Sequence, residues 1–585
     1  MTFSKYLFAF VLVFISFLVD GQQIRIKIIE TSDVHGAIFP FDFVRKEKAS
    51  GSLSQVQSYV SEQRNRRDQK VILIDNGDML QGDPSVYFYN SPDSVINLYA
   101  EVMNFMDYDL AVVGNHDIEQ GPLCFNKFAE EIAFPWLAAN AITVETGEPY
   151  FKAYHSMTVD EVKITFLGMV TPAIPSWIHP SLFKGIFFED MIKSAEYWMK
   201  IIRENERPDI VIGVFHAGVD YTYNGEDAST PFNENAAELV AKAVAGFDVV
   251  FVGHDHHGWN KTVVNTTNEE VVILGPTSSA VDVAVANLEL EYDRQSGKWK
   301  KSIEGELVTM VNVKADPNFM REFGDEMELV RDRVSKVIGE LKTDVISREA
   351  LFGPSAFVDL IHQVQLKLSD ADISIAGVTA FDEKLIEGKV RYSDMFKLYL
   401  YENLLYKMKL SGAEIDALLE YSYGKWFNKL ENGQSHLLRF SYSATGELET
   451  GRNGKPLVIP KFYNFDSAAG INYTVDLSQE EGNRVTIHSF VNGKKFKMAD
   501  RYLVAINSYR GSGGGGHLTI ASGIPQKELM ERVVWVSEHD MRWYLTEWFE
   551  DQQSVYPVRL NNWNIEPAEL YRDAMNRDYL LLFGD

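Results

Sequence analysis

Five short patches rich in aspartate and histidine each follow directly after an apolar run of this sequence. Carboxylates, imidazoles and a carboxamide delivered from separate loops can hold two divalent cations side by side, and such cation pairs hydrolyse phosphate esters. The pattern therefore predicts a two-metal hydrolase. The patches read Thr31-Ser32-Asp33-Val34-His35-Gly36, Asp75-Asn76-Gly77-Asp78, Gly114-Asn115-His116-Asp117, Phe215-His216-Ala217-Gly218 and Gly253-His254-Asp255-His256-His257.

The first three patches offer oxygen and nitrogen ligands at spacings that suit shared cations. Asp33 and His35 alternate along an extended segment, so both side chains can point towards one ion. Asp78 carries two carboxylate oxygens and can bridge two ions, which partly offsets the repulsion between them. Asn115 offers a neutral carbonyl oxygen, whereas the adjacent His116 points elsewhere and is left for another role.

Three further histidines complete the predicted ligand set. A solitary His216 after a strand would more often be a core histidine with its hydrogen bonds satisfied, but the neighbouring patches favour a ligand here. His254 and His256 alternate at the end of one strand and can bind different ions from the same face. His257 is expected to be exposed. We predict a metal site in preference to a structural cluster without metal.

The patches occupy the places where an α/β sheet presents its ligands. Runs that are apolar and rich in β-branched residues alternate with stretches of helical spacing, which predicts strands buried on both faces of a helix-covered sheet. Ligands of such sheets bind beyond the carboxyl ends of the strands, and all five patches fall there. The predicted strands are 24–29, 71–74, 110–113, 164–170, 210–215, 249–252 and 271–274.

The length of 585 residues is too great for one ordinary hydrophobic core, so at least two domains are expected. From 316 to 342 the chain is charged, with apolar residues at spacings of three or four, which predicts an amphipathic connecting helix. This divides the chain into a catalytic domain over 22–315, the helix over 316–342 and a second domain over 343–585. The alternative is that the last segment extends the first core.

Residues 1–21 have a charged start, a short apolar stretch and a small residue at the end, which predicts a secretory signal peptide. A membrane anchor is the alternative, but the apolar stretch is shorter than the roughly 20 residues that span a bilayer. We therefore expect a secreted or periplasmic protein. The net charge of −27 opposes binding to nucleic-acid polymers and anionic membranes, so a small-molecule substrate is expected and no protein partner is predicted.

The aspartate and histidine patches resemble the metallophosphoesterase domain of the 5'-nucleotidase family, and the similarity runs through nearly the whole chain after residue 21. The segment from Asn233-Glu234-Asn235 to His254 is also similar. The resemblance implies an α/β fold: a four-layer αββα sandwich followed by a separate α+β substrate-binding domain. It implies that one metal is held by Asp33, His35, Asp78 and His256, and the other by Asp78, Asn115, His216 and His254.

His116 is implied by the same resemblance to be a catalytic histidine that binds no metal. Relatives in the family often carry a carboxylate three residues later that orients this histidine. Here that position is Glu119, while Asp117 intervenes, and either could serve. The mixed nitrogen and oxygen ligands suit Zn, Mn, Fe or Co equally.

An aromatic clamp for the substrate's base is implied in the second domain. Phe465 and Tyr509 match the stacking positions of the family, and Arg510 beside Tyr509 is expected to contact substrate. The glycines 513–516 that follow would let the backbone approach a ligand closely. The alternative is that both aromatic residues belong to the core.

Two phrases favour the branch that hydrolyses 2',3'-cyclic nucleotides and 3'-nucleotides, namely Tyr463-Asn464-Phe465-Asp466 and Asn507-Ser508-Tyr509-Arg510. Ala376-Gly377-Val378-Thr379-Ala380 replaces the Gly-Gly-Ile-Arg segment of standard 5'-nucleotidases, and Gly515 stands where the favoured branch usually has an aspartate. We expect cyclic and 3'-nucleotides slightly ahead of the alternatives, a 5'-nucleotidase or a nucleotide-sugar hydrolase. A nucleotide-binding protein without catalysis is the weaker alternative.

Overall fold

Two β-sheets lie face to face in the amino-terminal part of the computed structural model, which describes residues 23–90, 96–451 and 454–584. The predicted signal peptide falls outside these described residues. In spatial order the first sheet contains Lys298–Thr309, Asp282–Asp293, Gln23–Thr31, Lys70–Asp75, Leu110–Val112 and Trp136–Leu137. The second contains Trp259–Val264, Glu270–Gly275, Val249–Val252, Ile210–His216, Val162–Val170 and Tyr154–Val159.

The alternation of side chains along the strands explains the layers. In Lys70–Asp75, Ile72 and Ile74 enter the core between the sheets, whereas Leu73 packs on the opposite face beneath helices. Because successive side chains point to opposite faces, a strand that is apolar throughout must be covered on both sides. The predicted strands are therefore internal strands of a sandwich.

Helices cover the outer face of each sheet. Buried side chains of Leu53–Arg64, Leu98–Phe105 and Gly121–Glu131 pack on the first sheet. Those of Met191–Asn205 and Ala237–Ala243 pack on the second. The four-layer αββα arrangement is confirmed. Smaller elements in this part are the strands Phe41–Asp42, Glu47–Lys48, Ala141–Thr143 and Ile186–Phe188 and the short helices Pro84–Tyr87 and Asn115–Glu119.

The connection to the second domain differs from the predicted helix over 316–342. Two helices, Pro317–Glu322 and Gly324–Ser335, pack on the amino-terminal core, and the strand Val337–Leu341 already belongs to the second domain. A single connecting helix is therefore wrong. Ile338 falls at a helical spacing from Val334, but its side chain lies on the buried face of a short strand. An apolar residue fits both patterns.

The carboxy-terminal domain has its own core, built from residues between Ile338 and Phe583. We propose that the domain boundary lies near residue 336 and not at 315. The main sheet has the order Asp466–Ala469, Ile373–Gly377, Arg501–Asn507, Leu404–Ser411 and Val533–Asp540. Smaller sheets are formed by Gly388–Arg391, Val337–Leu341 and Ser554–Val555, by Val485–Phe490, Ile471–Asp476 and Trp563–Glu566, and by Val345–Ile346 and Lys384–Leu385.

Helices pack against these sheets and separate them from solvent. The helix Gly412–Trp426 is a clear case, because Ser411 and Glu414 form a capping box at its start and its buried face enters the core. The helices of this domain are Ala356–Ser369, Tyr392–Leu398, Gly412–Trp426, Ser508–Gly511, Leu529–Arg532, Met541–Gln552 and Ala568–Phe583.

The two domains meet through a buried arginine. The guanidinium of Arg542 lies 4.9 Å from the ring of Tyr87 in the first domain and 4.1 Å from the ring of Phe396 in the second. The Tyr87 hydroxyl donates a 2.8 Å hydrogen bond to Asp540. Because aromatic faces attract a cation, these contacts stabilise the interface and bring the carboxy-terminal domain close to the strand ends of the first.

Close approach of the two sheets at Gly168 generates the first prediction. A Cβ atom there would lie 2.4 Å from the Cβ of Leu137 in the opposite sheet. We expect Gly168→Ala to lower the free energy of unfolding by about 1–3 kcal/mol, because the clash forces the packed sheets apart. Denaturant unfolding measures this change. The control is Gly324→Ala, where no atom lies within 4 Å of the added Cβ, and equal stability of the two variants would contradict the prediction.

Candidate metal centre and aromatic site

Two clusters of aspartate and histidine lie within the described residues at the strand ends. The ligand atoms in each cluster are all within 4.8 Å of one another. The carboxamide oxygen of Asn115 joins the second cluster, 3.1 Å from His216 Nε2 and 2.8 Å from His254 Nδ1. The structure thus brings together every residue predicted as a metal ligand. The first cluster contains Asp33, His35 and His256, and the second contains Asp78, His216 and His254.

The strands deliver these side chains because their carboxyl ends converge. Gln23–Thr31 and Lys70–Asp75 are parallel neighbours in the first sheet, and Ile210–His216 and Val249–Val252 are parallel neighbours in the second. Ligands therefore arrive from both sheets at one edge of the sandwich. The Nδ2 of Asn76 donates a 3.1 Å hydrogen bond to the carbonyl of Phe215 and joins the two sheets below the site.

The backbone at several of these positions is strained. A positive φ is uncommon for residues other than glycine and costs roughly 1–3 kcal/mol, so it persists where the surrounding structure enforces it. Backbone hydrogen bonds do so here, from Asp33 N to Gly77 O at 2.9 Å and from His35 N to Asp78 O at 3.0 Å. The positive φ values are 51° at Asp33, 50° at His35, 60° at Asp78, 74° at His254 and 57° at His256.

Hydrogen bonds to backbone carbonyls orient two of the imidazoles. His35 Nδ1 lies 3.2 Å from the carbonyl oxygen of Gln81, and His216 Nδ1 lies 2.5 Å from that of Asn76. A carbonyl accepts only from a protonated nitrogen, so Nδ1–H donates in both rings. In the neutral imidazole the Nε2 lone pair is then free for a cation, which is the arrangement usual for metal-binding histidines.

His254 is oriented by two residues that the sequence did not identify as functional. Its Nε2 lies 3.1 Å from a carboxylate oxygen of Glu234, so Nε2–H donates and Nδ1 faces the cluster beside Asn115. The ring of Trp177 stacks on the imidazole at 5.4 Å between centroids. Glu234 was visible only as part of a family-like segment, and Trp177 carried no signal because it follows no strand.

Charges within the clusters match a site for cations. Burial opposes ionisation of Asp33 and Asp78, but neighbouring histidines hold the pKa of each carboxyl below its usual range. Burial likewise opposes protonation of His216, yet Asp78 and Asp33 raise its pKa to about 10. A potential that favours a proton there also favours a metal ion. The residues present therefore fit divalent metals in donor type, orientation and charge.

His116 lies beside the clusters and is held by Glu119. Its Nδ1 is 2.6 Å from a Glu119 carboxylate oxygen, three residues later on the helix Asn115–Glu119. Burial lowers the pKa of His116, but Asp78 and Glu119 together raise it to about 9. Donation from Nδ1–H to Glu119 leaves Nε2 free for a substrate oxygen.

Asp117 has a different role from the one predicted. Its buried carboxylate accepts hydrogen bonds from the backbone N–H groups of Asp78, Met79, Leu80 and Gly114, at 3.1, 2.8, 2.9 and 2.8 Å. It is fully committed to holding the loop that carries Asp78. The prediction of Asp117 as a catalytic residue is therefore corrected, and Glu119 is the partner of His116.

The structure places Tyr463, and not Phe465, beside Tyr509 in the second domain. Phe465 is buried and stacks on Trp426 at 5.3 Å and 8°, so its prediction as a base-stacking residue is wrong. Tyr463, two residues earlier, is partly exposed, and its ring lies 6.2 Å from that of Tyr509. The usual preference of tyrosine for a site with one polar edge could have indicated this choice.

Residues of both domains surround the tyrosine pair. The Tyr401 ring lies 5.8 Å from that of Tyr463. The side chain of Tyr223, from the first domain, is close enough to Tyr463 to interact with it electrostatically. The tyrosine site therefore faces the first domain across the interface between the domains.

A second contact links the carboxy-terminal domain to the residue that follows the helix Asn115–Glu119. Gln120 Nε2, next to Glu119, donates a 3.1 Å hydrogen bond to Glu402. Arg542 approaches the other oxygen of Glu402 at 3.6 Å. The end of the helix that carries His116 is thus held against the second domain through Gln120.

Arg510 is not available to substrate. Its side chain is 2% exposed and pairs with Asp466, with Nε 2.6 Å from the carboxylate. Its predicted contact with substrate is therefore corrected to an internal contact. The sequence did not show this because Asp466 lies far away along the chain.

Comparison with known proteins places these observations in a family. Residues 26–258 match the model of calcineurin-like phosphoesterases, and residues 337–522 match that of the 5'-nucleotidase C-terminal domain. Together the two matches include every residue of both clusters and both tyrosines of the aromatic pair.

Curated relatives are similar over most of this chain. A 2',3'-cyclic-nucleotide 2'-phosphodiesterase/3'-nucleotidase of Salmonella typhimurium is 25% identical over 94% of this chain and 90% of its own length. The trifunctional nucleotide phosphoesterase protein YfkN of Bacillus subtilis is also 25% identical over 94% of this chain. The chain spans 39% of the length of that second relative.

A solved structure shares the fold. The putative 5'-nucleotidase from Staphylococcus aureus, in complex with alpha-ketoglutarate, superimposes with a TM-score of 0.74 over 92% of this chain and 99% of its own, at 20% identity. The similarity extends over both domains. The chain belongs to the family in which a calcineurin-like phosphoesterase domain is joined to a 5'-nucleotidase C-terminal domain.

Proposed function

We propose that this chain hydrolyses phosphate esters of nucleotides with two divalent cations, and that it prefers 2',3'-cyclic nucleotides and 3'-nucleotides. The observation that carries the proposal is the pair of ligand clusters beside His116, with a tyrosine site across the domain interface. The names of the curated relatives support the substrate class. The second candidate, a 5'-nucleotidase, is favoured by the name of the similar solved structure.

The clusters would hold one cation each. When bound, such cations polarise a phosphoryl oxygen and lower the pKa of a coordinated water. Nitrogen and oxygen ligands suit Zn, Mn, Fe or Co, and supply in the cell often decides among them. One ion would be held by Asp33, His35, Asp78 and His256, and the other by Asp78, Asn115, His216 and His254.

His116 would serve the phosphoryl group directly. With Nδ1–H committed to Glu119, a protonated Nε2 can donate to a phosphoryl oxygen or to the departing alcohol oxygen. The negative charge of Glu119 favours the protonated ring and fixes its direction. Asp117 contributes by holding the Asp78 loop in its strained conformation.

The tyrosine pair would bind the nucleobase. Stacking on an aromatic ring contributes about 1–3 kcal/mol per base and tolerates different bases. Thr379 takes the place of the substrate-binding arginine in the Gly-Gly-Ile-Arg segment of standard 5'-nucleotidases; it is buried and its hydroxyl donates to the carbonyl of Leu398 at 2.6 Å. Recognition would therefore depend on the base and the metals, which supports the cyclic-nucleotide branch over standard 5'-nucleotidases.

We further propose that the protein acts outside the cytoplasm, on the basis of the signal-like segment 1–21. Among the helices of the described residues, none has both the length and the apolar character required to traverse a bilayer. The net charge of −27 supports a small nucleotide as the ligand in preference to a nucleic-acid polymer.

Product analysis with four substrates tests the proposed function. We expect the metal-loaded protein to hydrolyse 2',3'-cyclic AMP and 3'-AMP faster than 5'-AMP or a nucleotide sugar. Chromatography of the products measures each rate, and Asp78→Ala should abolish all of them because the second cluster loses a ligand and the proposed bridge between the two cations is removed. Preference for 5'-AMP or the sugar would favour the second candidate or a nucleotide-sugar hydrolase. Binding without turnover of any substrate would indicate a nucleotide-binding protein.

The role of His116 gives a separate prediction. His116→Ala should retain its metals but lose about 10² to 10⁴ in kcat, because a positioned proton donor is removed. Glu119→Gln should show a smaller loss, since a carboxamide oxygen can still accept from Nδ1–H. Steady-state kinetics with metal analysis measures both. The control is His257→Ala, an exposed histidine outside the clusters; full activity of His116→Ala would assign His116 a structural role.

A further inference from the structure

All the hydrogen-bond donors of Arg510 are directed at protein acceptors. A guanidinium has five N–H groups. Nε and Nη2 donate to the two oxygens of Asp466 at 2.6 and 3.2 Å, and Nη2 also donates to the carbonyl of Tyr463 at 3.1 Å. Nη1 donates to the side-chain oxygen of Asn464 at 3.2 Å and to the carbonyl of Gly514. No donor remains for a phosphate.

These acceptors lie on the segments that carry the two tyrosines. Tyr463 and Asn464 form the turn Phe462–Asn464 before the strand Asp466–Ala469, whereas Tyr509 precedes Arg510 in the short helix Ser508–Gly511. The guanidinium carbon also lies 5.4 Å from the Tyr509 ring centroid. Arg510 therefore cross-links the backbone under one ring to the backbone under the other.

The cross-link is anchored to the domain core. Asp466 is 3% exposed, and its backbone N–H donates a 2.8 Å hydrogen bond to the hydroxyl of Ser422. Ser422 lies on the helix Gly412–Trp426, whose buried face belongs to the core. Movement of the Tyr463 segment relative to Tyr509 would break a buried ion pair, which is costly because one charge would be left without a partner.

The run of glycines makes room for this arrangement. A Cβ on Gly515 would lie 2.2 Å from Arg510 Nη1 and 2.5 Å from the Asn464 side-chain oxygen. A Cβ on Gly514 would lie 2.5 Å from an atom of the Tyr509 ring. The glycines therefore admit the guanidinium and the ring, which gives them a packing function that does not require a ligand.

We propose that Arg510 is a positioning residue for nucleobase recognition, which sets the placement of Tyr463 relative to Tyr509 and does not touch the phosphate. This inference rests on the proposed function for its ligand. It explains why an arginine beside the aromatic site is buried. It also implies that Arg510 affects the affinity for the base and not the phosphate chemistry. The contacts of Arg510 reach the tyrosine segments and not the two ligand clusters.

Adenosine binding to the metal-loaded full chain tests the proposal directly. Arg510→Lys keeps the charge but cannot reach all five acceptors. We expect calorimetry to show adenosine binding about tenfold or more weaker than for the wild type, an effect comparable to that of Tyr463→Ala, because stacking is lost. The matched control is Arg484→Lys, a buried arginine of the same domain that donates to the Phe427 carbonyl, and its adenosine affinity should equal that of the wild type.

Kinetics separate positioning from phosphate contact. The ratio of kcat/KM for 3'-AMP to that for ribose 3-phosphate, which lacks a base, should fall about tenfold in Arg510→Lys through KM. An equal fall for both substrates would overturn the proposal, because Arg510 would then serve the phosphate. Unchanged adenosine affinity in a folded Arg510→Lys would also overturn it.

A second variant tests the same cross-link independently if Arg510→Lys does not fold. Asp466→Asn keeps the shape of the acceptor but removes its charge, so it should weaken adenosine binding in the same direction and to a smaller extent. Wild-type adenosine affinity in this variant would count against the cross-link. If the wild type binds adenosine but hydrolyses no nucleotide, the proposed function fails, while the adenosine comparison still decides the role of Arg510.

Discussion

The candidate metal site depends on the interactions that hold the carboxylate of Asp78 in place. One oxygen lies 3.2 Å from His216 Nε2 in the second cluster, and the other accepts a 2.8 Å hydrogen bond from the backbone of His116. Its backbone has a positive φ, enforced by Asp117 and by the neighbouring loop of Asp33. A strained, buried carboxylate of this kind persists because several loops hold it at once.

The fold supplies those loops by bringing two sheets together at their carboxyl ends. Neither sheet could hold both cations alone, because Asp33 and Asp78 follow strands of the first sheet while His216 and His254 follow strands of the second. Close packing at Gly168 and the bond from Asn76 to Phe215 fix the sheets to each other. The second domain then contributes the tyrosines and, through Glu402, a contact beside the helix that carries His116.

The convergence of the candidate metal ligands could be predicted because each patch has a distinctive composition and directly follows an apolar strand. The aromatic site was harder to predict, because the three-residue turn Phe462–Asn464 decides whether Tyr463 or Phe465 lies beside Tyr509, and local sequence does not encode that turn. Arg510 was misassigned because its partner Asp466 is distant along the chain. The prediction of a connecting helix was wrong because Ile338 fits both the residue spacing of a helix and the burial pattern of a strand.

The most direct test of the central claim is electron paramagnetic resonance of the protein loaded with Mn²⁺. If Asp78 is shared between the clusters, a fully loaded chain should bind two ions and show the multiline signal of an exchange-coupled pair. Asp78→Ala should lose that coupling. A single bound ion, or two ions with the signal of isolated Mn²⁺, would contradict the account of a shared carboxylate at the centre of the site.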